Sequence, residues 1–532
     1  PFGGTISADL FLGMLAQKGS ASGYSNDELN VFSARISLAE TELASAKSEL
    51  ENVNSADFPE EFRGNIEDLS SKIPVLLDTA ELFKSYSKIS SFIFGLDAKR
   101  RYLVLFQNSS ELRPTGGFIG SYAIVEVEQG KLKNMFVDGI YNADGQLTVN
   151  IVPPKQLGHI TTAWSTHDAN WFLDFTTSAE KVAWFYEKTG GGKVDGVVTL
   201  NVEVIERLLA LTGPIILEKY DITLNADNFR DEIQYEVEVA YDKKLNRPKQ
   251  VLSDFTPFFI DKLFAVSRER SGELVSLMVK MLEQKYIMLY SADRKVQEFF
   301  DGQGWSGAVK AQNTGTKTQT DYLGVVHSNI GGHKTDKYMD DEIKYDAKVQ
   351  SDGSIIGHLT IQRIHTGGDT KYWWYNRANI DYVKIYVPQG AEIISYSGGK
   401  RREVEKPADY KSLGFDRDSD ITDIEDTMTE KGSIDIFGES GKTVFGTWLV
   451  TNPKGTSILE IEYKLPYKID FKNGVSKYEL YLQKQPGTQT PANMSLSVPD
   501  KWQIAWNSFE SNEREHLFML DTDKVIGYIL KK

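Results

Sequence analysis

Residues 101–120 read RYLVLFQNSSELRPTGGFIG, and this stretch sets the fold from which the rest of the chain is read. Its opening, YLVLF at 102–106, is an unbroken apolar run of strand-forming residues. Such a run suits a strand at the centre of a sheet whose two faces are both covered. A second strand is expected over 118–127, and Gly130-Lys131 turns the chain into a third over 132–137. The loop between the first two strands follows a buried strand, the position of ligand loops at the carboxyl edge of α/β sheets. Gly116 and Gly117 let backbone N–H groups approach a ligand, and Arg113 can clamp an anion with two donors. The same residues equally suit a plain connection whose glycines only satisfy backbone geometry, and both readings stay open.

Outward from this stretch, interleaved strands and helices continue to about residue 305. A helix is expected over 178–186, a strand over 194–200, a short helix over 204–211, and helical periodicity from 251 to about 300. Upstream, residues 26 to about 95 carry apolar positions at helical spacing, interrupted by Pro59 and Gly64, and read as a helical hairpin or stalk. Downstream the helices stop. Strands are expected over 322–326, 343–349, 355–364, 382–387, 443–451, 457–463 and 478–483, the spacing of a β-sandwich. Residues 398–442, rich in charge, Gly and Ser, read as a long loop or insert. The fold class is therefore multidomain α+β: a helical stalk over 1–95, an α/β domain over 96–305, and an all-β, sandwich-like domain over 306–532.

The 532 residues hold no cysteine, which excludes thiol catalysis, disulfides and thiolate metal sites. A net charge of -15 argues against nucleic acid as a partner, since phosphate binding needs a basic surface. No run approaches the roughly 18 apolar residues that span a bilayer. The chain begins at Pro1, from which a processed or truncated product is expected. Gly438-Glu439-Ser440-Gly441-Lys442-Thr443 ends like a phosphate loop, but Ile436 stands where that motif needs Gly. The seven histidines form no HExxH pair, and there is no Gly-x-Ser-x-Gly elbow. Tyr372, Trp373, Trp374 and Tyr375 stand in succession, so alternation turns at least two outward as candidates for a contact surface.

Residues 101–120 resemble the signature of a prokaryotic family known as domain of unknown function 4012. The resemblance continues through VDGVVTLN at 194–201, LTGPI at 211–215, VHSNIGGHK at 326–334 and YLQKQPGT at 481–488. It implies an extracytoplasmic cell-surface protein, anchored by an N-terminal membrane helix that precedes this chain. The middle domain is also similar in order and texture to the LytR–CpsA–Psr enzymes, which transfer glycopolymers from a polyprenyl-pyrophosphate carrier. That similarity sets Asn108 and Arg113 at the carrier-binding loop, and Arg247 and Lys249 where those enzymes hold an arginine-rich motif. With Gly116 and Gly117 these are the anion- or carrier-binding candidates. Mg²⁺, if the transferase reading holds, would look to Asp138 and Asp144. The departures are that Asn108 replaces an acidic ligand and that the later arginines thin to Arg247. Two functions follow as expectations. The first is a structural or envelope-polymer-contacting surface protein without strong catalysis, meeting glycan, lipid carrier, other surface proteins or its own copies. The alternative is a glycopolymer phosphotransferase.

Overall fold

The computed structural model describes residues 26–54, 57–241, 249–311, 320–404, 408–471, 473–510 and 513–532. Two long helices come first, α1 (Asn26–Glu51) and α2 (Glu60–Ile93). Glu60 and Glu61 in the first turn of α2 favour its start, because acidic groups complement the positive end of the helix dipole. No helix among the described residues is long and apolar enough to cross a membrane.

The middle region is built on a five-stranded sheet. Its strands are β1 (Arg100–Asn108), β2 (Phe118–Glu128), β3 (Lys131–Gly139), β4 (Gly196–Asn201) and β7 (Ile287–Ser291), in the order β3-β2-β1-β4-β7. Strands β5 (Ile215–Leu217) and β6 (Ile222–Leu224) form a separate ribbon. β1 is central, antiparallel to β2 and parallel to β4, as its apolar run predicts. Side chains alternate across this sheet, so Leu103, Leu105, Val197 and Met288 face one core while Val198, Leu200, Ile287 and Leu289 face another. Helices cover the second face, among them α3 (Val202–Thr212) and α4 (Gln250–Glu269), with Leu208, Leu209, Phe255 and Phe259 buried in that core. β7 corrects the expectation of unbroken helix over 251–300. Its run IMLYS is as apolar as a buried helix turn, and only pairing with β4 makes it a strand.

The C-terminal region is β-rich and sandwich-like, with two sheets facing one core. The six-stranded sheet runs β12 (Glu392–Ser397), β16 (Thr456–Lys468), β10 (Ser354–His365), β9 (Met339–Val349), β18 (Thr490–Ser497), β20 (Glu515–Leu520). The eight-stranded sheet runs β13 (Thr429–Lys431), β14 (Ile434–Glu439), β15 (Lys442–Thr451), β11 (Asn379–Pro388), β8 (Asp321–Val326), β17 (Val475–Gln483), β21 (Lys524–Lys531), β19 (Gln503–Asn507). Leu359, Ile361, Leu459 and Ile461 of the first meet Val383, Ile385, Phe445 and Leu480 of the second. The segment 398–442 is not one long loop. It contains a helix, Ser419–Thr427, whose N-terminus Asp418 caps by accepting the Asp420 and Ile421 amides, and the strands β13 and β14.

The two regions share a core. Trp164, Trp171 and Phe172 pack in one cluster with Ile330, Tyr382, Ile421 and Trp448. A buried ion network lies beside it: Arg363, fully buried, meets Asp336 (3.0 Å), Asp341 (2.8 Å) and Asp381 (2.7 Å). Asp336 reaches back to accept the Leu112 amide at 3.0 Å, which pins the loop after β1 to the C-terminal region.

Candidate functional site

The loop from β1 to β2 folds on itself before it meets anything else. Asn108 Oδ1 accepts the Ser110 amide (3.0 Å), and the Phe118 amide closes the loop on the Glu111 carbonyl (2.9 Å). Gly116 has φ +114°, a backbone that side-chain-bearing residues rarely adopt. A Cβ there would stand 2.7 Å from Asn201 Nδ2, and one on Gly117 would run into the Asn108 carbonyl. The Gly116 carbonyl accepts from Asn201 Nδ2 (2.7 Å), and the Gly117 carbonyl from Asn170 Nδ2 (2.9 Å). Both glycines are thus taken up by close approach within the chain.

Arg113 is only 1% exposed. Its Nε and Nη2 donate to Asp168 Oδ1 (3.3 and 3.2 Å) and its Nη2 also to Glu111 Oε1 (3.3 Å). Its Nη1 donates to the carbonyls of Leu112 (3.2 Å) and Asn329. All three nitrogens are therefore engaged, and the guanidinium sits over the Phe118 ring at 5.5 Å. Burial alone would raise the Asp168 carboxyl, but Arg113 and His167 hold it down at about 2. His167 bridges two acids, with Nδ1 at 2.7 Å from Asp144 and Nε2 at 3.1 Å from Asp168. Burial opposes its charge, yet the hydrogen bonds to Asp144 and Asp168 push it up to about 9, so the ring is an imidazolium at neutral pH.

Above this buried layer lie the cations nearer solvent. Lys334 pairs with Glu111 and lies 5.1 Å from the Phe118 ring centre. Lys249 reaches in across the sheet along two glycines. A Cβ on Gly139 would stand 3.2 Å from its Cγ, and one on Gly120 would stand 3.4 Å from its Nζ. Its amine has no hydrogen-bond partner among the described residues. Burial, and then the neighbouring Lys334, bring it down to about 8.

The sequence candidates are therefore only partly assembled. Arg113, Gly116, Gly117 and Lys249 gather around one loop, but Arg113 faces inward. Asn108 donates to Gln234 Oε1 (3.0 Å), and Arg247 lies outside the described residues. Asp138 accepts from Asn142 (2.6 Å), while Asp144 is spent on His167 and the Thr166 amide (2.9 Å). Among the described residues no group of three His, Asp or Glu is placed to hold a metal ion. Of the aromatic run, Trp374 and Tyr375 are buried, Tyr372 is half-buried, and Trp373 is 52% exposed. Tyr375 donates to Asp231 (3.0 Å) and Tyr372 packs on Tyr235, so much of the run contacts this chain's own middle region. Sequence reading does not single out His167, Asp168 or Lys334. Arg113 and Asp168 are 55 positions apart and Lys334 and Glu111 are 223 apart, and no local spacing announces such pairs.

Residues 97–237 match the model of the family described as "Protein of unknown function (DUF4012)", which supports membership over that segment. No curated protein matches the chain. Among solved structures, a Legionella pneumophila protein described as nutrient-binding aligns at 8% identity and a TM-score of 0.20, covering 40% of this chain and 71% of that one. A zinc metallopeptidase from Deinococcus radiodurans aligns at 13% identity and a TM-score of 0.16, covering 37% and 42%.

Proposed function

We propose that this chain, whose residues 97–237 fall in a family of unknown function, is an extracytoplasmic surface protein that contacts an acidic envelope polymer and does not transfer it. The placement in the envelope rests on the family resemblance. The reading against transfer rests on Arg113. Phosphoryl transfer needs cations aimed at the oxygens where charge develops. Here the guanidinium has spent its donors on Asp168, Glu111 and two carbonyls, at 1% exposure. Asp144 is likewise committed, to His167 and the Thr166 amide. What the loop retains is Lys249, an amine without a hydrogen-bond partner among the described residues, beside Lys334 and the Phe118 ring. Glu238 and Glu111 both act on Lys249 from a distance, but neither is hydrogen-bonded to it, which leaves its ammonium open to an added anion such as a phosphate- or carboxylate-bearing polymer supplies.

The test combines two assays on one preparation. Purified protein is sedimented with isolated cell-wall polymer across a salt series. It is also incubated with a polyprenyl-pyrophosphate-linked glycan, Mg²⁺ and acceptor wall. The expected result is salt-sensitive co-sedimentation, weakened in Lys249→Gln, with no transfer above background. Transfer that depends on Arg113 would establish the phosphotransferase instead, and absence of co-sedimentation would remove the polymer contact.

A further inference from the structure

A second cleft shares no residue with the loop after β1. It opens between the 3-10 turn Lys155–His159, the chain at 401–404 and the strand β15, and encloses about 420 Å³ including its open mouth. Its charged lining is Lys155, Arg401 and Arg402 together with the carboxylates Glu403 and Asp435, and its floor is Trp448 with His159 set edge-on at 5.0 Å. Trp448 is itself held from behind by Tyr382, whose ring centre is 5.2 Å away.

The three cations differ in what they meet. Arg401 donates to Glu430 (2.6 Å) and Asp435 (2.9 Å), and Lys155 stands 3.6 Å from Glu430. Arg402 has no such partner among the described residues. Its guanidinium lies 4.8 Å over the Trp448 ring, and its Nη1 is buried without a hydrogen bond. Burial is what pulls its pKa down, with no carboxylate pulling the other way. Stacking on an indole recovers only part of what a desolvated cation loses in hydration. Burial and the adjacent Arg402 lower the pKa of His159, which leaves Arg402 as the cation stacked on the indole. A planar guanidinium fixed on an aromatic floor, with no carboxylate paired to it among the described residues and a cleft in front of it, is preorganised for a two-oxygen anion.

We propose that this cleft binds an oxyanion, the carboxylate or phosphate group of an acidic ligand, with Arg402 as its anchoring cation and Trp448 as the plate that holds Arg402 in place. The site stands independently of the polymer reading above, since it uses other residues.

Calorimetric titration of the whole chain at fixed ionic strength tests it, with inorganic phosphate and galacturonate as the two probes. At least one probe is expected to bind saturably, and the tighter one identifies which oxyanion the cleft prefers. Arg402→Gln should weaken that binding about tenfold, the loss of one charge-assisted hydrogen-bonded contact. Lys468→Gln, a neutralised surface lysine paired only with exposed Asp352, should leave it unchanged. The unaltered protein gives a second readout, a probe-dependent change in tryptophan emission that disappears in Trp448→Phe. Should neither probe saturate on the unaltered protein, the proposal is overturned. It is also overturned if Arg402→Gln, folded by circular dichroism, binds as tightly as the parent.

Discussion

Removing the Arg113 guanidinium would leave Asp168, at 2% exposure, and Glu111 facing each other without their shared cation. Breaking a buried pair by deleting one partner costs about 3–5 kcal/mol, far more than losing a surface charge. Arg113→Ala is therefore expected to lower unfolding free energy by about that amount in urea titrations, whereas an arginine kept for a ligand would leave stability nearly unchanged. His167 gives a residue-level prediction in pH. Its folded value of about 9 lies above an unfolded value near 6.5, so its contribution is full below about pH 6.5 and is lost as pH rises through about 9. On the order of 1–3 kcal/mol of stability should fade across that window. In His167→Gln the slope between those two pH values should flatten, and an unchanged slope would assign the loss to other groups.

At the scale of the element, the loop after β1 and the helix α2 respond oppositely to the same substitution. Gly117→Ala puts a methyl group into the Asn108 carbonyl, where backbone rather than a yielding side chain must move. The expected loss is about 3 kcal/mol or more, because overpacking against fixed backbone is among the few causes of large single-residue effects. Gly64 lies inside α2, and a methyl group added there would meet nothing within 4 Å, so Gly64→Ala should instead add about 0.5–1 kcal/mol. The same contrast explains what the sequence disclosed. β1 was legible because five apolar residues in a row need two covered faces, and the sandwich strands β9, β10 and β16 were legible because one buried face leaves strict alternation. β7 hid inside a helical texture, and β19, exposed along nearly all its length, offers no alternation to read. The candidate loop was visible as a loop, but its inward-facing arginine was not, since Asp168 and Asn329 reach it only through tertiary packing.

For the whole molecule, the question is whether the middle sheet and the sandwich unfold separately. Three kinds of contact argue that they do not. The aromatic cluster of Trp164, Trp171 and Phe172 is completed by Tyr382 and Trp448 from the eight-stranded sheet. Gln485 Nε2 donates to both the Arg113 carbonyl (3.1 Å) and the His327 carbonyl (2.8 Å). Lys384, fully buried in β11, donates to the Trp171 carbonyl (3.0 Å) and pairs with Glu439 (2.8 Å). Each would leave apolar surface or a buried polar group exposed if one region opened while the other stayed folded, and such groups lose about 1–3 kcal/mol apiece. Scanning calorimetry is therefore expected to show these two regions melting in one transition, with calorimetric and van't Hoff enthalpies in agreement. Asp336→Ala should shift that transition as a unit. Its carboxylate serves Arg363 on one side and the Leu112 amide on the other, so neither region can lose it alone. Two resolved transitions in the parent protein, of which Asp336→Ala moves only one, would show that the regions are joined by contact but not by stability.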